Sequence, residues 1–540
     1  MKQAPGNKLV TVAEMQQIER EANSSGLTYD RMMEHAGLGL AEQVHNSYRH
    51  LADSGALGLI GSGNNGGDAL VALTHLAKWG WRTCAYIVRS RPVDDPLVLR
   101  FKDAGGAIYN VEEDRKFVNL TGLLKEYRVL IDGVLGTGIR LPLKGVVADT
   151  LRKVRQCIER SPGKTIVVAV DCPSGVDCDT GDAAPECIPA DMTVTMAAVK
   201  TGLFKMPAYG IIGDLRVVGI GLEELTPVLQ SWSKLTRVVI DQQLVRSFLP
   251  DRPVDAHKGT FGTVLVVAGS VNYTGAALLA GYAAYRCGAG LVTLAVPQPL
   301  HAALAGHFPE ATWLPLPHQD GFIAKSAAGT VRNNLQRITG LLLGPGFGLH
   351  EAVQAFLDRL LPDPRQAIDD HAGIGGSDPL PPLIVDADGL KLLTRLPNWP
   401  RRLANQAILT PHPGEMSVLT GMSIQEIQSD RMATAERYSA EWGHVVVLKG
   451  AFSVIASPDG RMGLLPVATP ALARAGTGDV LSGLVVGLRA QGLDAFEAAV
   501  AGAWIHAQAG LHAAKKLGSD AAVLAGDVLR GISDAMRDLS

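Results

Sequence analysis

The sequence predicts an α/β protein made of two consecutive domains, each with a mainly parallel sheet covered by helices on both faces. Three observations carry this. Short apolar runs that end in turn residues alternate with helical stretches along almost the whole chain. That alternation breaks once, over residues 222–236, "LEELTPVLQSWSKLT". Finally, 540 residues exceed the size at which one hydrophobic core keeps growing.

Bulk composition excludes several function classes. Hydrophobic residues make up 47% and charged residues 19%, the balance of a compact, core-rich chain and not of a disordered one. A formal net charge of −3 gives no electrostatic case for nucleic acid as a partner. The six cysteines, Cys84, Cys157, Cys172, Cys178, Cys187 and Cys287, form neither a CxxC pair nor a disulfide framework, so they are read as reduced, buried thiols. No apolar run is long enough to cross a bilayer, and the N-terminus meets glutamates before a signal sequence could form. A soluble cytoplasmic protein with no membrane partner is expected.

In the first half, "TVAE" at Thr11–Glu14 has capping-box spacing and opens a helix that ends near Gly26. A second helix is expected through "DRMMEHAGLGLAEQVH". The stretch "ALGLIGSGNNGGDALVALTHLAKWG" then reads as strand, glycine turn and helix, and "TCAYIVR", "YRVLIDGVLGTG", "KTIVVAVDCPSG" and "DMTVTMAA" read as further strands. The second half supplies "GTVLVVAGS", "GLVTLAVP", "ITGLLLGPG", "PPLIVDADGL", "QAILTPHPGE" and "HVVVLKGAFSVIA". Residues 363–382, polar and rich in Gly and Pro, read as a surface insertion. The expected division is 1–222, a joining segment 223–236, and 237–540.

Ligands of open parallel sheets collect at the carboxyl ends of the strands. In the second domain "AGTGDVLSG" sets Gly476, Thr477 and Gly478 before a helix expected to begin near Val480, and their N–H groups with the helix dipole suit phosphate. Asp479 inside such a site is either a helix cap or a base that takes a proton from a hydroxyl beside the phosphoryl group. "LLLGPGFG" and "VLKGAFSV" add two more glycine-rich strand ends, the latter with Lys449. Alone, these residues reach a ribokinase-like kinase. His412 before Pro413 reads either as a turn residue or as a ligand contact.

The ordered set "KGTFGTVLVVAGSVNYTGAALLAGYAAYRCGAGLVTLAVP", "GPGFG", "DADGL", "TPHPGE", "LKGA" and "AGTGDVLSG" closely resembles the ADP- or ATP-dependent NAD(P)H-hydrate dehydratases, over about residues 240–540. The resemblance implies a ribokinase-like fold and a substrate hydrated at C6 of the dihydropyridine ring. The new hydroxyl is phosphorylated and phosphate eliminated, which regenerates NAD(P)H. It implies Asp479 as base and hydrate contact, Ala276, Gly346 and His412 as further hydrate contacts, and Lys449, Gly450, Ala451, Phe452, Ser453 and Gly478 as nucleotide contacts. Pro470, Arg474 and Gly389 depart from the family pattern.

In the first domain "GSGNNGGD" at 61–68 follows a strand and opens a helix, as a pyrophosphate cradle does, but Asn64 and Asn65 replace small spacers. They read either as turn formers or as carbonyl ligands. Asp132 and Asp171 stand at strand ends, and Asn65, Asp132 and Ser174 would form an all-oxygen site suited to a hard cation. "MMEHAG", "GSGNNGGD", "DGVLGTGIRLPLKG", "VDCPSGVDCDTG" and "MAAVKTGL" resemble the NAD(P)H-hydrate epimerases, whose domain is Rossmann-like and three-layered. That resemblance implies hydrate contacts at Asn64, Asn65, Gly66, Gly67 and Asp68. It adds Gly136, Thr137, Gly138, Ile139, Arg140, Leu141 and Pro142. It also implies potassium at Asn65, Asp132 and Ser174, with Asp171 the acid/base group and a hydrate contact.

Together these resemblances imply repair of NADHX and NADPHX, both epimers interconverted by one domain and the S epimer dehydrated by the other. Magnesium with ADP is expected at the dehydratase site, since phosphoryl transfer needs the nucleotide's charge neutralised. The residues do not choose between ADP and ATP, though the fusion resembles bacterial and archaeal enzymes that favour ADP. The resemblance further implies a homo-oligomer, such as a tetramer. The competing reading is a kinase of a small stable alcohol joined to a non-catalytic Rossmann-like binding domain.

Overall fold

The computed structural model describes residues 8–160, 165–225, 229–361, 379–403 and 406–540. Residues 1–237 and 238–540 form two compact units. All but the last four residues of the expected 363–382 insertion lie outside the described residues.

The first unit opens as its sequence dictates. Thr11 caps helix Val12–Ser24 and exchanges side-chain bonds with Glu14, and helix Tyr29–Tyr48 follows. Seven strands then form one sheet in the spatial order 107–110, 83–87, 56–60, 129–133, 166–170, 192–196 and 214–218. Every pairing along it is parallel. Strand residues alternate between two layers: Ala56 and Ile60 join the core beneath the first helices, while Leu57 and Leu59 join the one on the opposite face. This is a Rossmann-like three-layer domain, and its chain order reverses between strands 56–60 and 129–133. Leu229, Trp232 and Leu235, from the segment read as the domain junction, pack on this unit's core.

The second unit holds a ten-stranded sheet in the order 237–239, 462–464, 454–456, 445–448, 408–409, 383–385, 340–343, 263–267, 291–297 and 312–316. From 445–448 to 312–316 the pairings are parallel. "HVVVLKGAFSVIA" is two strands and not one, 445–448 and 454–456, which pair antiparallel about the turn 449–453. Here the order reverses between 263–267 and 340–343, where a crevice at the carboxyl ends is expected.

Two long helices fix the part of this unit that carries Asp479. Helix Thr477–Ala490 lies so close to helix Ala276–Arg286 that a Cβ on Gly483 would stand 2.2 Å from the Ala280 carbonyl oxygen. A Cβ on Gly487 would meet the Cys287 sulfur at 2.5 Å. All six cysteines are free thiols, with Cys172 and Cys178 buried as expected. Among the described residues no helix is long and apolar enough to cross a membrane.

Because the helices are in contact at Gly483, Gly483→Ala should force them apart and cost about 1–3 kcal/mol. Urea unfolding of the full chain should show an earlier transition for the second unit. A variant unfolding with the wild type would contradict the close packing.

Candidate functional site

In the second unit the helix carrying Asp479 begins earlier than its sequence suggested. Gly476 takes a left-handed conformation, φ +85°, and caps the helix, so Thr477, Gly478 and Asp479 form its first turn instead of preceding it. Their N–H groups face the end of the dipole where anions are stabilised. Asp479 has a pKa pushed up to about 7, first by burial and then by the Asp386 carboxylate, with Lys449 opposing. A carboxyl so poised exchanges protons near neutral pH, as a general base must.

Lys449 follows strand 445–448. Its ammonium donates to Asp386 at 2.8 Å and lies 3.6 Å from Glu415. Burial pulls the lysine pKa down, but Asp386 and Glu415 outweigh it and hold the group above its ordinary value. Asp386, buried at the end of strand 383–385, and Glu415 were not singled out from the sequence, although "DADGL" and "TPHPGE" contain them. Asp388 accepts from the Gly348 N–H at 3.0 Å and so ties the "GPGFG" turn to this cluster.

A cavity of about 470 Å³ opens at Lys449 and at Gly478, the neighbour of Asp479, while Asp479, Asp386, Asp388 and Glu415 are not in its wall. Lys449, Gly450, Ala451, Ser453, Thr477, Gly478 and His412 line one part of it, and Leu465, Val467, Leu472, Leu481, Ala503 and Ala507 another. Phe452 is not in its wall: the residue is buried with φ +55°. Ala276 and Gly346 are not in the wall either, but they meet one another, since a Cβ on Gly346 would lie 2.8 Å from that of Ala276. His412 caps helix Pro413–Thr420, its Nδ1 accepting from the N–H groups of Gly414 and Glu415, while its ring also faces the cavity. Both readings of this histidine therefore describe the same position. Sequence reading missed His506, which lines the cavity from helix Ala495–Leu517 with burial pushing its pKa down to about 4.

In the first unit Gly66 is pressed on Gly61, where a Cβ would lie 2.1 Å from the carbonyl oxygen, so helix Asn64–Lys78 starts directly off strand 56–60. Asn65 donates through Nδ2 to the carbonyls of Val170 at 2.6 Å and Leu135 at 3.2 Å, which stitches the turn to two strand ends. Asp132, fully buried, accepts from the Ser174 hydroxyl at 2.6 Å and its N–H at 2.8 Å, and the Leu135 N–H donates to the same hydroxyl. The structure thus gathers Asn65, Asp132 and Ser174 about Leu135. Burial raises the Asp132 pKa, with the bonds from Ser174 opposing. Gly136 abuts the Asn65 side chain, and the loop beyond runs outward, with Gly138, Arg140, Leu141 and Pro142 exposed.

Asp171 sits at φ +63°, rare for a residue with a side chain. Its Oδ1 accepts from Thr195 Oγ1 at 2.9 Å, from the Met196 N–H at 3.1 Å and from the ammonium of Lys200, which is 1% exposed. Lys200 was quoted within "MAAVKTGL" but given no role. Burial pulls its pKa down, and the Asp171 charge more than restores it.

Residues 264–533 match the family described as NAD(P)H-hydrate dehydratase, and residues 29–202 match the YjeF-related protein N-terminus. A bifunctional NAD(P)H-hydrate repair enzyme Nnr of Moorella thermoacetica is 34% identical across 98% of this chain and 97% of its own length. The chain belongs to the bifunctional NAD(P)H-hydrate repair enzyme family. The relative of the same name from Salinibacter ruber is 35% identical, over 91% of this chain and 90% of that one. An ADP/ATP-dependent NAD(P)H-hydrate dehydratase from Bacillus subtilis, crystallised with ATP and Mg2+, is 32% identical with a TM-score of 0.45, covering 56% of this chain and 98% of its own. Family membership makes the chain a two-activity enzyme.

The titration of Asp479 generates a pH prediction. A base must be deprotonated to act, so kcat/KM for nucleotide-dependent recovery of NADH should fall as pH drops through about 7. A profile flat down to the ordinary carboxylate range would contradict the raised pKa.

Proposed function

We propose that the first unit epimerises R and S NAD(P)H hydrate and that the second phosphorylates the S epimer with ADP and expels phosphate to restore NAD(P)H. Residues 1–222 would form the epimerase domain and 237–540 the dehydratase domain, joined by 223–236. The observation that carries the reading is Asp479. It stands in the first turn of a 14-residue helix, its carboxyl raised to about 7, beside a cavity that Lys449 and Gly478 line.

In the dehydratase half, Asp479 takes the proton of the C6 hydroxyl while the N–H groups of the Gly476–Gly478 turn hold the phosphoryl group. Lys449, Gly450, Ala451, Phe452, Ser453 and Gly478 hold the nucleotide, Phe452 through its main chain because its ring is packed inward. Ala276, Gly346 and His412 hold the hydrate. Asp386, Asp388, Glu415 and Asp479 face two lysines, Lys449 and the Lys391 that lies 3.0 Å from Asp388, and the remaining excess of acids suits a nucleotide arriving with magnesium. The magnesium would neutralise phosphate charge.

In the epimerase half, Asn64, Asn65, Gly66, Gly67, Asp68 and the Gly136–Pro142 loop hold the hydrate, with Asp171 as acid/base group. The Asn65 amide oxygen, Asp132 and the Ser174 hydroxyl fit potassium. They are oxygen donors, Asp132 is fully buried, and among the described residues no cationic side chain pairs with it. Potassium there would supply positive charge at the base of the site. The enzyme acts as a homo-oligomer in the cytoplasm.

The test is recovery of NADH absorbance from a mixture of both hydrate epimers, supplied with magnesium and potassium and with ADP, ATP or no nucleotide. Complete recovery only with a nucleotide is expected, and Asp479→Asn should lower kcat by about 10²–10⁴-fold. A stable phosphorylated product with no absorbance gain would instead support a kinase.

A further inference from the structure

Asp68 stands in helix Asn64–Lys78 at the end of the "GSGNNGGD" turn and is 7% exposed. Among the described residues its carboxyl has no hydrogen-bond donor and no cationic partner. The two strand-end acids of this site are engaged, Asp132 by Ser174, and Asp171 by Thr195, Met196 and Lys200. All three bonds to Asp171 fall on Oδ1, so Oδ2 accepts none among the described residues. The site therefore pairs a carboxylate anchored directly by a buried ammonium with a buried carboxyl that no hydrogen bond or ion pair among the described residues holds as an anion. A buried charge without a partner is costly, and such a group keeps its proton instead.

We infer that Asp68 is the proton donor of the epimerase reaction and that Asp171 is the acceptor, an assignment that rests on reading this pocket as the epimerase site. The departing C6 hydroxyl takes the proton of Asp68 and leaves as water with the C6–O electron pair. The lone pair of the ring nitrogen forms a C=N bond, which leaves a cationic ring. Water then adds to the opposite face of C6, its oxygen forming the new C–O bond as the C=N electrons return to nitrogen. Asp171 Oδ2 accepts the proton this water releases, and exchange through site water returns that proton to Asp68. No oxidant or further reactant is needed.

The field around Asp68 agrees with this geometry. Burial, the Asp171 carboxylate and Glu19 all push its pKa well up, and Lys200 alone opposes them. Glu19, on helix Val12–Ser24, is itself raised by burial, so it is the other acid that has to be separated by experiment.

The full chain is given one purified epimer of hydrated NADH, without nucleotide, and the epimer ratio is followed by chromatography across about pH 5 to 9. Wild-type kcat should decline once pH rises far enough for Asp68 to lose its proton; a rate that rises toward alkaline pH, or a decline that persists unchanged in Asp68→Asn, overturns the assignment. Asp68→Asn should lose about 10²–10⁴-fold in kcat with little change in KM, and should lose the alkaline decline. Asp68→Glu should recover part of the rate, and Glu19→Gln should keep the decline. If Asp68→Asn runs at the wild-type rate while Asp171→Asn does not, the donor assignment falls and the site stands. If both run at the wild-type rate, the reading of the site falls with it.

Discussion

A carboxylate taken out of water needs a cation, a set of hydrogen-bond donors or a proton, and both halves of this enzyme are organised around that requirement. Asp132 is satisfied by the hydroxyl and N–H of Ser174. Asp171 is satisfied by the buried Lys200, and Asp386 by Lys449, which is partly exposed in the cavity wall. Asp479 is left with a carboxyl raised to about 7, first by burial and then by the Asp386 carboxylate, against the pull of a Lys449 that Asp386 and Glu415 share. The same division of labour, one acid anchored by lysine and a neighbour left to carry a proton, places Asp68 beside Asp171.

Topology decides which acids meet. In each sheet the chain order reverses at one place, so two loops leave neighbouring strands in opposite directions and open a crevice between them. The 61–68 turn and the 134–142 loop flank that place in the first unit, and the "YTGAA" and "GPGFG" turns flank it in the second, where Ala276 and Gly346 touch. The helix of Asp479 is then pinned by glycines against helix Ala276–Arg286, so this acid is held by rigid packing and not by a loop.

Much of this was legible in the sequence. Apolar runs ending in an acid, such as "VLID" and "VVAVD", mark parallel strands whose last residue reaches the ligand edge, and the glycine turns beside them mark close backbone approach. What the sequence hid is long-range pairing. Lys200 lies 29 residues from Asp171 and Lys449 lies 63 residues from Asp386, and only the register of the finished sheet brings them together. The second strand of hairpin 445–456 was hidden because it is only three residues long, and the early start of helix Thr477–Ala490 because it depends on the left-handed φ of Gly476. Residue type alone could not separate the capping role of His412 from its place in the cavity wall.

The central claim, that burial and lysine anchoring leave particular carboxyls protonated near neutral pH, is tested most directly by infrared spectroscopy. Difference spectra of the ligand-free full chain against Asp68→Asn and against Asp479→Asn isolate the band of each protonated carboxyl. The account predicts a band for Asp68 that persists well above the pH at which an ordinary aspartate ionises, and at pH 7 one at roughly half intensity for Asp479. Absence of both bands at pH 7, with each acid already ionised at the pH of an ordinary aspartate, would contradict it.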